Sequence, residues 1–279
     1  MNEGYVYIGF GRKFINEVCL SVASLRRHGD FRPVDVVTST KDEEYAKKRN
    51  VFNNIIVHDI DNDELVLEAK TDFEKFGMIP KLRICSYANY QYTMYLDTDI
   101  LCVHNTEKAW DFLKKQNQAL TITGSTNNPH WHWEFWHQVC KQNNIPCLEA
   151  STGVMFINKN YSSDFSKLFD LFVYGYRNYD SLGMKRFFRG GRVEEPVMAW
   201  GIAKAGLTTI NFRDFPIMTC CLKPTDDIPT KIQNCRHQEG VMDDYIPFSH
   251  QFEKSESPDY HLLYFKVMHS YRERDPLFS

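Results

Sequence analysis

Short apolar runs alternating with amphipathic helical runs dominate the first third of the chain. Tyr5 to Gly9 reads as a strand, Ile15 to Arg27 as an amphipathic helix closed by His28-Gly29, and VDVVTST from Val34 as a second strand. A charged helical stretch over Lys41 to Lys48 then leads to a third strand in NNIIVHDI. Parallel strands need crossover connections, and these place helices on the faces of the sheet. The βαβαβ opening therefore predicts a layered α/β fold.

Past an acidic segment at Asp59 to Glu68, the run PKLRICSYANYQY has helical spacing, and Pro80 suits its first turn. It leads into TMYLDTDILCV, Thr93 to Val103, read as a strand. A helix over Thr106 to Lys115, a strand in ALTITGS, the aromatic-rich PHWHWEFWHQVC and a strand in STGVMFIN follow. An apolar helix spans Phe165 to Tyr176. RGGRVEEPVMAWGIAKAGL then gives a glycine-marked loop and a helix that ends near Gly206, with Pro196 in its first turn. The final third is irregular around Lys223 to Thr230 and Glu253 to Asp259, before a last apolar run, HLLYFKVMHSY. No repeat, low-complexity tract or linker divides the 279 residues, and 43% hydrophobic content supplies one sizeable core.

The 33 Lys and Arg nearly balance the 36 Asp and Glu, so a net charge of -3 gives no general attraction to nucleic acid or to an anionic membrane. Eight cysteines form no CxxC pair and several lie in apolar runs, which reads as reduced core thiols. The opening MNEGYVYIGFG enters a strand-like run without a basic segment and long apolar core. The expectation is a cytoplasmic protein with no membrane anchor.

Asp97 and Asp99 stand in the middle of the apolar run TMYLDTDILCV. Burying a lone ionised carboxylate is costly, so the pair must reach solvent, find hydrogen-bond partners or hold a cation. Strand alternation would put both on one face. At the carboxyl edge of a parallel sheet they could bridge a hard divalent ion to phosphate oxygens; the other reading is two hydrogen-bonded carboxylates at a strand end. A second acidic cluster, HDIDNDE, mimics a calcium loop, but Glu64 stands where such a loop needs Gly and Lys70 where it needs Glu, so it reads as a solvated acidic loop.

The order of KLRICSYANYQY, TMYLDTDILCV, STGVMFIN, EEPVMAWGIAKAGL and the late KVMHSYR resembles the GT-A fold glycosyltransferases that use nucleotide sugars. The likeness covers most of the chain. The glycogenin-like branch shares the Lys/Arg-led helix before YLDxD, the GVMxIN strand and a late His, and the small GT-A enzymes of large algal viruses, one of them a xylosyltransferase, are also similar. The resemblance implies a Rossmann-like mixed sheet flanked by helices in a single domain, with a nucleotide-sugar-binding half (1–105) and an acceptor-binding half (106–279). It implies Mn²⁺ or Mg²⁺ on Asp97, Asp99 and His269, against the diphosphate of a UDP-sugar carrying xylose, glucose or galactose. Lys81, Arg83 and Arg272 would add positive charge near the phosphates, and Gly9, Phe10, Gly11, Thr38 and Ser39 would line the nucleoside pocket.

The same resemblance places Glu194 and Glu195 at a helix start where inverting members carry an acidic pair. Glu195 would be the base, whereas the glycogenin-like branch usually retains configuration. Thr152 and Gly153 would meet substrate. Trp131 and Trp133 of HWHWEFWH present aromatic faces suited to a glycan acceptor, although core packing is the commoner reason for such a segment, and its histidines complete no tetrahedral zinc set at the usual spacing. A homodimer remains open. Two rival readings stay beside transfer: a haloacid dehalogenase-type phosphatase, since MYLDTD resembles that nucleophile motif apart from Ile100 in place of Gly, and an inert carbohydrate-binding protein of the same fold.

Overall fold

The computed structural model describes residues 2–102, 105–124, 136–148, 150–184, 192–211, 218–220 and 264–266. Its frame follows the predicted alternation: β1 (Glu3–Ile8), α1 (Arg12–Arg27), β2 (Val34–Thr38), α2 (Glu43–Arg49) and β3 (Asn54–Val57). A short α3 (Glu64–Leu67) precedes a π-helical stretch over Phe73–Met78, which runs directly into α4 (Ile79–Leu82). Pro80 thus lies just inside a helical run that begins upstream of it, and the helix expected beyond it breaks into a 3-10 turn at Ile84–Tyr87.

Then come β4 (Tyr92–Leu96), β5 (Ile100–Cys102), α5 (Glu107–Lys114), β6 (Leu120–Gly124) and α6 (Trp136–Asn143). β7 (Ser151–Asn158), α7 (Phe165–Arg177), α8 (Glu194–Ala205) and β8 (Ile210–Asn211) follow, with β9 (Met218–Cys220) and β10 (Tyr264–Lys266) beyond. A seven-stranded sheet runs β3-β2-β1-β4-β7-β6-β8, and β5-β10-β9 form a second, small sheet. β1 pairs in parallel with both β2 and β4, whereas β7 lies antiparallel between β4 and β6. The sheet is therefore mixed.

Both faces of the large sheet are covered, which is why its strands read as nearly continuous apolar runs. Tyr5 and Tyr7 of β1, Met94 and Leu96 of β4, and Val154 and Phe156 of β7 pack with Val18, Val22 and Leu25 of α1 and Trp110 of α5. The alternate residues Val6, Ile8, Tyr95, Met155 and Ile157 face Phe172 of α7 and Val197 and Trp200 of α8. Full burial of each large side chain contributes roughly 1.5–3 kcal/mol, so the two layers fix the strand register firmly. α8 ends where the sequence suggested, at Gly206 with φ 75°, a left-handed C-terminal position that favours glycine.

Candidate active site

β4 ends at Leu96 and the chain turns at once. The Ile100 N–H donates to the Asp97 carbonyl at 3.2 Å, closing a turn over residues 97–100, after which β5 leaves for the other sheet. The reading of Thr93 to Val103 as one strand is therefore corrected. Asp97 and Asp99 are brought together by a turn rather than by strand alternation, since Asp and Thr side chains compete with ladder hydrogen bonds and favour turns.

The turn is tied to the layers on both faces of the sheet. On one side, Lys81 of α4 sets its ammonium 2.7 Å from Asp97 Oδ1 and 3.0 Å from Glu194 Oε1, at the start of α8. Tyr95 donates its hydroxyl to the same Asp97 oxygen at 2.5 Å, and Thr152 of β7 donates to Glu194 Oε1 at 2.8 Å. On the other side, Thr98 donates to Glu17 of α1 at 2.8 Å. The Asp97 N–H meanwhile donates to the Gly153 carbonyl at 2.9 Å, locking the turn to β7.

Burial is deep: Asp97 is 8% exposed, Asp99 6% and Lys81 9%, so this is not a solvated acidic edge. Burial opposes ionisation of Glu194, yet the Lys81 ammonium together with backbone and Thr152 hydrogen bonds holds the carboxyl below its usual range. Burial likewise opposes the charge on Lys81, and Asp97 and Glu194 together push it above the usual lysine range. Burial and the neighbouring Asp97 charge keep Tyr95 protonated and hence a donor.

At the exit of β1, Gly11 has φ 91° and caps α1, and Asp42 accepts from the Gly11 N–H at 2.9 Å and from the Ser39 hydroxyl at 2.7 Å. Thr38 is fully buried and donates to the Gly9 carbonyl at 2.7 Å. Thr38 and Ser39 thus brace the turn. Phe10 lies within 6.3 Å of the His58 ring and 6.0 Å of Phe76.

Arg83 is committed to an ion pair of its own. It grips Asp63 through two bonds of 2.7 and 2.8 Å, and His58 pairs with the same carboxylate at 3.0 Å. The acidic-loop expectation accordingly holds for the exposed Asp59 and Asp61, while Asp63 is buried, caps α3 and is ion-paired.

The structure brings Asp97, Asp99, Lys81, Thr152, Gly153 and Glu194 to one sheet edge, with Glu195 half-buried beside them in the first turn of α8. Thr152 spends its hydroxyl on Glu194, and Gly153 its carbonyl on Asp97. His269, Arg272, Trp131 and Trp133 lie outside the described residues. Sequence reasoning missed Tyr95, Glu17 and Asp42. Tyr95 was discoverable as the residue two before Asp97 on the same strand face, and Glu17 as a charge on the inner stripe of α1, four residues from Ser21.

Among the described residues no group of three or more His, Cys, Asp or Glu is arranged to hold a metal ion. Two carboxylates at positions i and i+2 of one buried turn are nonetheless the hard oxygen donors that Mn²⁺ or Mg²⁺ takes.

No family model matches the sequence, and no curated protein sequence matches it. The fold is shared with solved glycosyltransferases. Mouse xyloside xylosyltransferase 1 in its apo form superposes with a TM-score of 0.58 at 12% identity, covering 95% of this chain and 97% of that one. The galactosyltransferase LgtC, in complex with donor and acceptor sugar analogs, gives 0.54 at 16% identity, covering 95% and 86%. Apo GlyE from Streptococcus pneumoniae gives 0.50 at 12% identity, covering 95% and 54%. The mixed sheet flanked by helices is the GT-A fold of these structures.

Proposed function

We propose that this protein is a metal-dependent glycosyltransferase that moves a sugar, xylose, glucose or galactose, from a UDP-linked donor to a hydroxyl of a glycan, with inversion. The observation that carries the proposal is the buried Lys81 ammonium bridging Asp97 and Glu194. It ties the aspartate turn at the end of β4 to the first turn of α8, so acid groups for two different tasks converge on one edge. Ligands of open α/β sheets bind at such carboxyl edges.

In this reading the donor's nucleoside lies on the Gly9–Gly11 turn beside Phe10, in the half formed by residues 1–105, and the acceptor meets the half formed by 106–279. Asp97 and Asp99, with His269, hold Mn²⁺ or Mg²⁺, which supplies the Lewis-acid neutralisation that a departing diphosphate requires. Lys81 holds Asp97 and Glu194 in place and favours the ionised form of Glu194. Glu194 accepts from Lys81 and Thr152, and Glu195, the second acid of the pair, is assigned to take the acceptor hydroxyl's proton. The α8 N-terminus favours the ionised carboxylate that this role needs.

The phosphatase reading places the motif after the first strand of its core, whereas here it follows β4. A screen of UDP release across UDP-xylose, UDP-glucose and UDP-galactose with Mn²⁺ tests the proposal. Asp97→Ala abolishes release and Glu195→Gln cuts transfer with little change in UDP binding. Unchanged turnover in Asp97→Ala overturns the metal assignment, and a product retaining the donor's anomeric configuration overturns inversion.

A further inference from the structure

α6 and the segment after it build a cluster that the sugar-transfer reading leaves unused. His137 and Cys140 lie three positions apart on α6, hence on one side of the helix. Asn144 then adopts a left-handed conformation, φ 49°, and the Ile145 N–H donates back to the Cys140 carbonyl at 3.1 Å, reversing the chain. Trp136 Nε1 donates to the Leu148 carbonyl at 2.6 Å and pins the returning strand of chain against the helix.

This reversal delivers Cys147 to His137 and Cys140. Its sulfur is 3.1 Å from His137 Nδ1, and it comes close enough to Cys140 to add to burial in pushing that thiol above its usual range. Cys140 is buried, Cys147 is exposed, and neither is in a disulfide. The reading of the cysteines as core thiols therefore holds for Cys140 but not for Cys147.

We infer that Cys147 and Cys140 form a peroxide-responsive dithiol, with His137 as the base that activates Cys147. Each partner has the exposure its part requires: the attacking sulfur is open to solvent beside an imidazole, and the resolving sulfur is shielded next to it. His137 accepts the Cys147 proton, and the thiolate attacks hydrogen peroxide. An S–O bond forms, the O–O bond breaks, and the departing hydroxide takes the proton back from His137 and leaves as water. The Cys140 sulfur then attacks the Cys147 sulfenic acid: the S–S bond forms, the S–O bond breaks, and the Cys140 proton leaves with the hydroxyl as a second water. Two thiols lose two electrons and one peroxide gains them. The disulfide sets the two sulfurs about 2.05 Å apart.

The test treats the full chain with one equivalent of hydrogen peroxide, alkylates remaining thiols and maps the peptides by mass spectrometry. A crosslink joining Cys140 to Cys147, two hydrogens lighter than the reduced pair, is expected. Cys140→Ser should leave a sulfenic acid at Cys147 that dimedone traps, and His137→Ala should slow Cys147 oxidation on the order of tenfold. Continued protection of the buried Cys85 and Cys102 from alkylation reports an intact fold in each variant. Oxidation of Cys147 without the crosslink overturns the resolving role of Cys140. A Cys147 rate no faster than that of the half-buried Cys19, or one unchanged in His137→Ala, overturns the activated thiol.

Discussion

Thr98 donates its hydroxyl proton to Glu17 across 2.8 Å, so the residue between the two aspartates is anchored to α1 while Asp97 is anchored to α4. Two layers on opposite faces of the sheet thus hold one turn of the chain. Glu17 is buried at 1% exposure, and such a carboxylate is worth having at that depth only when donors surround it.

Replacing Thr98 with Val keeps the shape and removes that donor. The expected loss is about 1–3 kcal/mol, the range for leaving a buried acceptor short of a partner, and Thr98→Ser should recover most of it. Urea denaturation reads the difference as a shift in midpoint at constant slope. A midpoint equal to the parent's would show that the bond does not hold the turn.

Lys81→Met removes the cation shared by Asp97 and Glu194 and should destabilise the protein by about 3–5 kcal/mol near neutral pH. The pH dependence has a definite sign. Glu194 is held below its usual range, so its contribution is present above the unfolded-state pKa and fades as pH falls through the native one. Lys81 is held above its usual range, so its contribution is complete below the unfolded-state pKa and fades only as pH rises through the native one. The gap between parent and variant is therefore widest across the neutral range and narrows as acid protonates the orphaned carboxylates. Chemical denaturation at pH 7 and pH 4 tests this, and a gap that widens at pH 4 contradicts it.

A second buried carboxylate sets the acid limb elsewhere. Burial opposes ionisation of Asp30, but donors from Thr106, Tyr5 (2.6 Å) and the Arg32 backbone (3.0 Å) hold it below its usual range. Its contribution is present above the unfolded carboxylate value and is lost as pH falls through the native one. Asp30→Asn should lower stability at pH 7 and flatten the acid limb of the stability curve, read as thermal midpoints between pH 3 and pH 7. A limb as steep as the parent's would remove Asp30 from this role.

The strands and main helices were legible because two periodicities, two and 3.6, are written in runs such as VDVVTST, STGVMFIN and Ile15 to Arg27. The Asp97–Asp99 site was legible by composition and misjudged in geometry. Flanking apolar residues extend the strand pattern through it, while the 97–100 turn and the switch of β5 to another sheet depend on Ile100 pairing with Lys266, far along the chain. The ion pairs of Lys81 were not legible because a lone lysine carries no sign of the partners that bury it, one of them 113 positions away. The π-helical run before Pro80 was hidden for a similar reason. Its buried Glu74 is satisfied by Tyr176 and by the Arg192 N–H, contacts that no local pattern records.

The placement of α8, and with it Glu194, depends on a close approach to α7 at Gly201. A β-carbon there would stand 2.5 and 2.7 Å from ring atoms of Phe172, which is 1% exposed. Gly201→Ala improves helix propensity by about 1 kcal/mol, but the overlap should cost about 1–3 kcal/mol as the ring or the helix shifts. Net destabilisation is therefore expected, with a fall in thermal midpoint and a weaker hold of Lys81 on Glu194. Phe172→Leu, itself a loss of packing, should cost less in the Gly201→Ala background than in the parent, because it relieves the overlap it would otherwise leave unfilled. A double-mutant cycle in urea measures that coupling. Strict additivity of the two changes would mean that the helices do not meet at these residues.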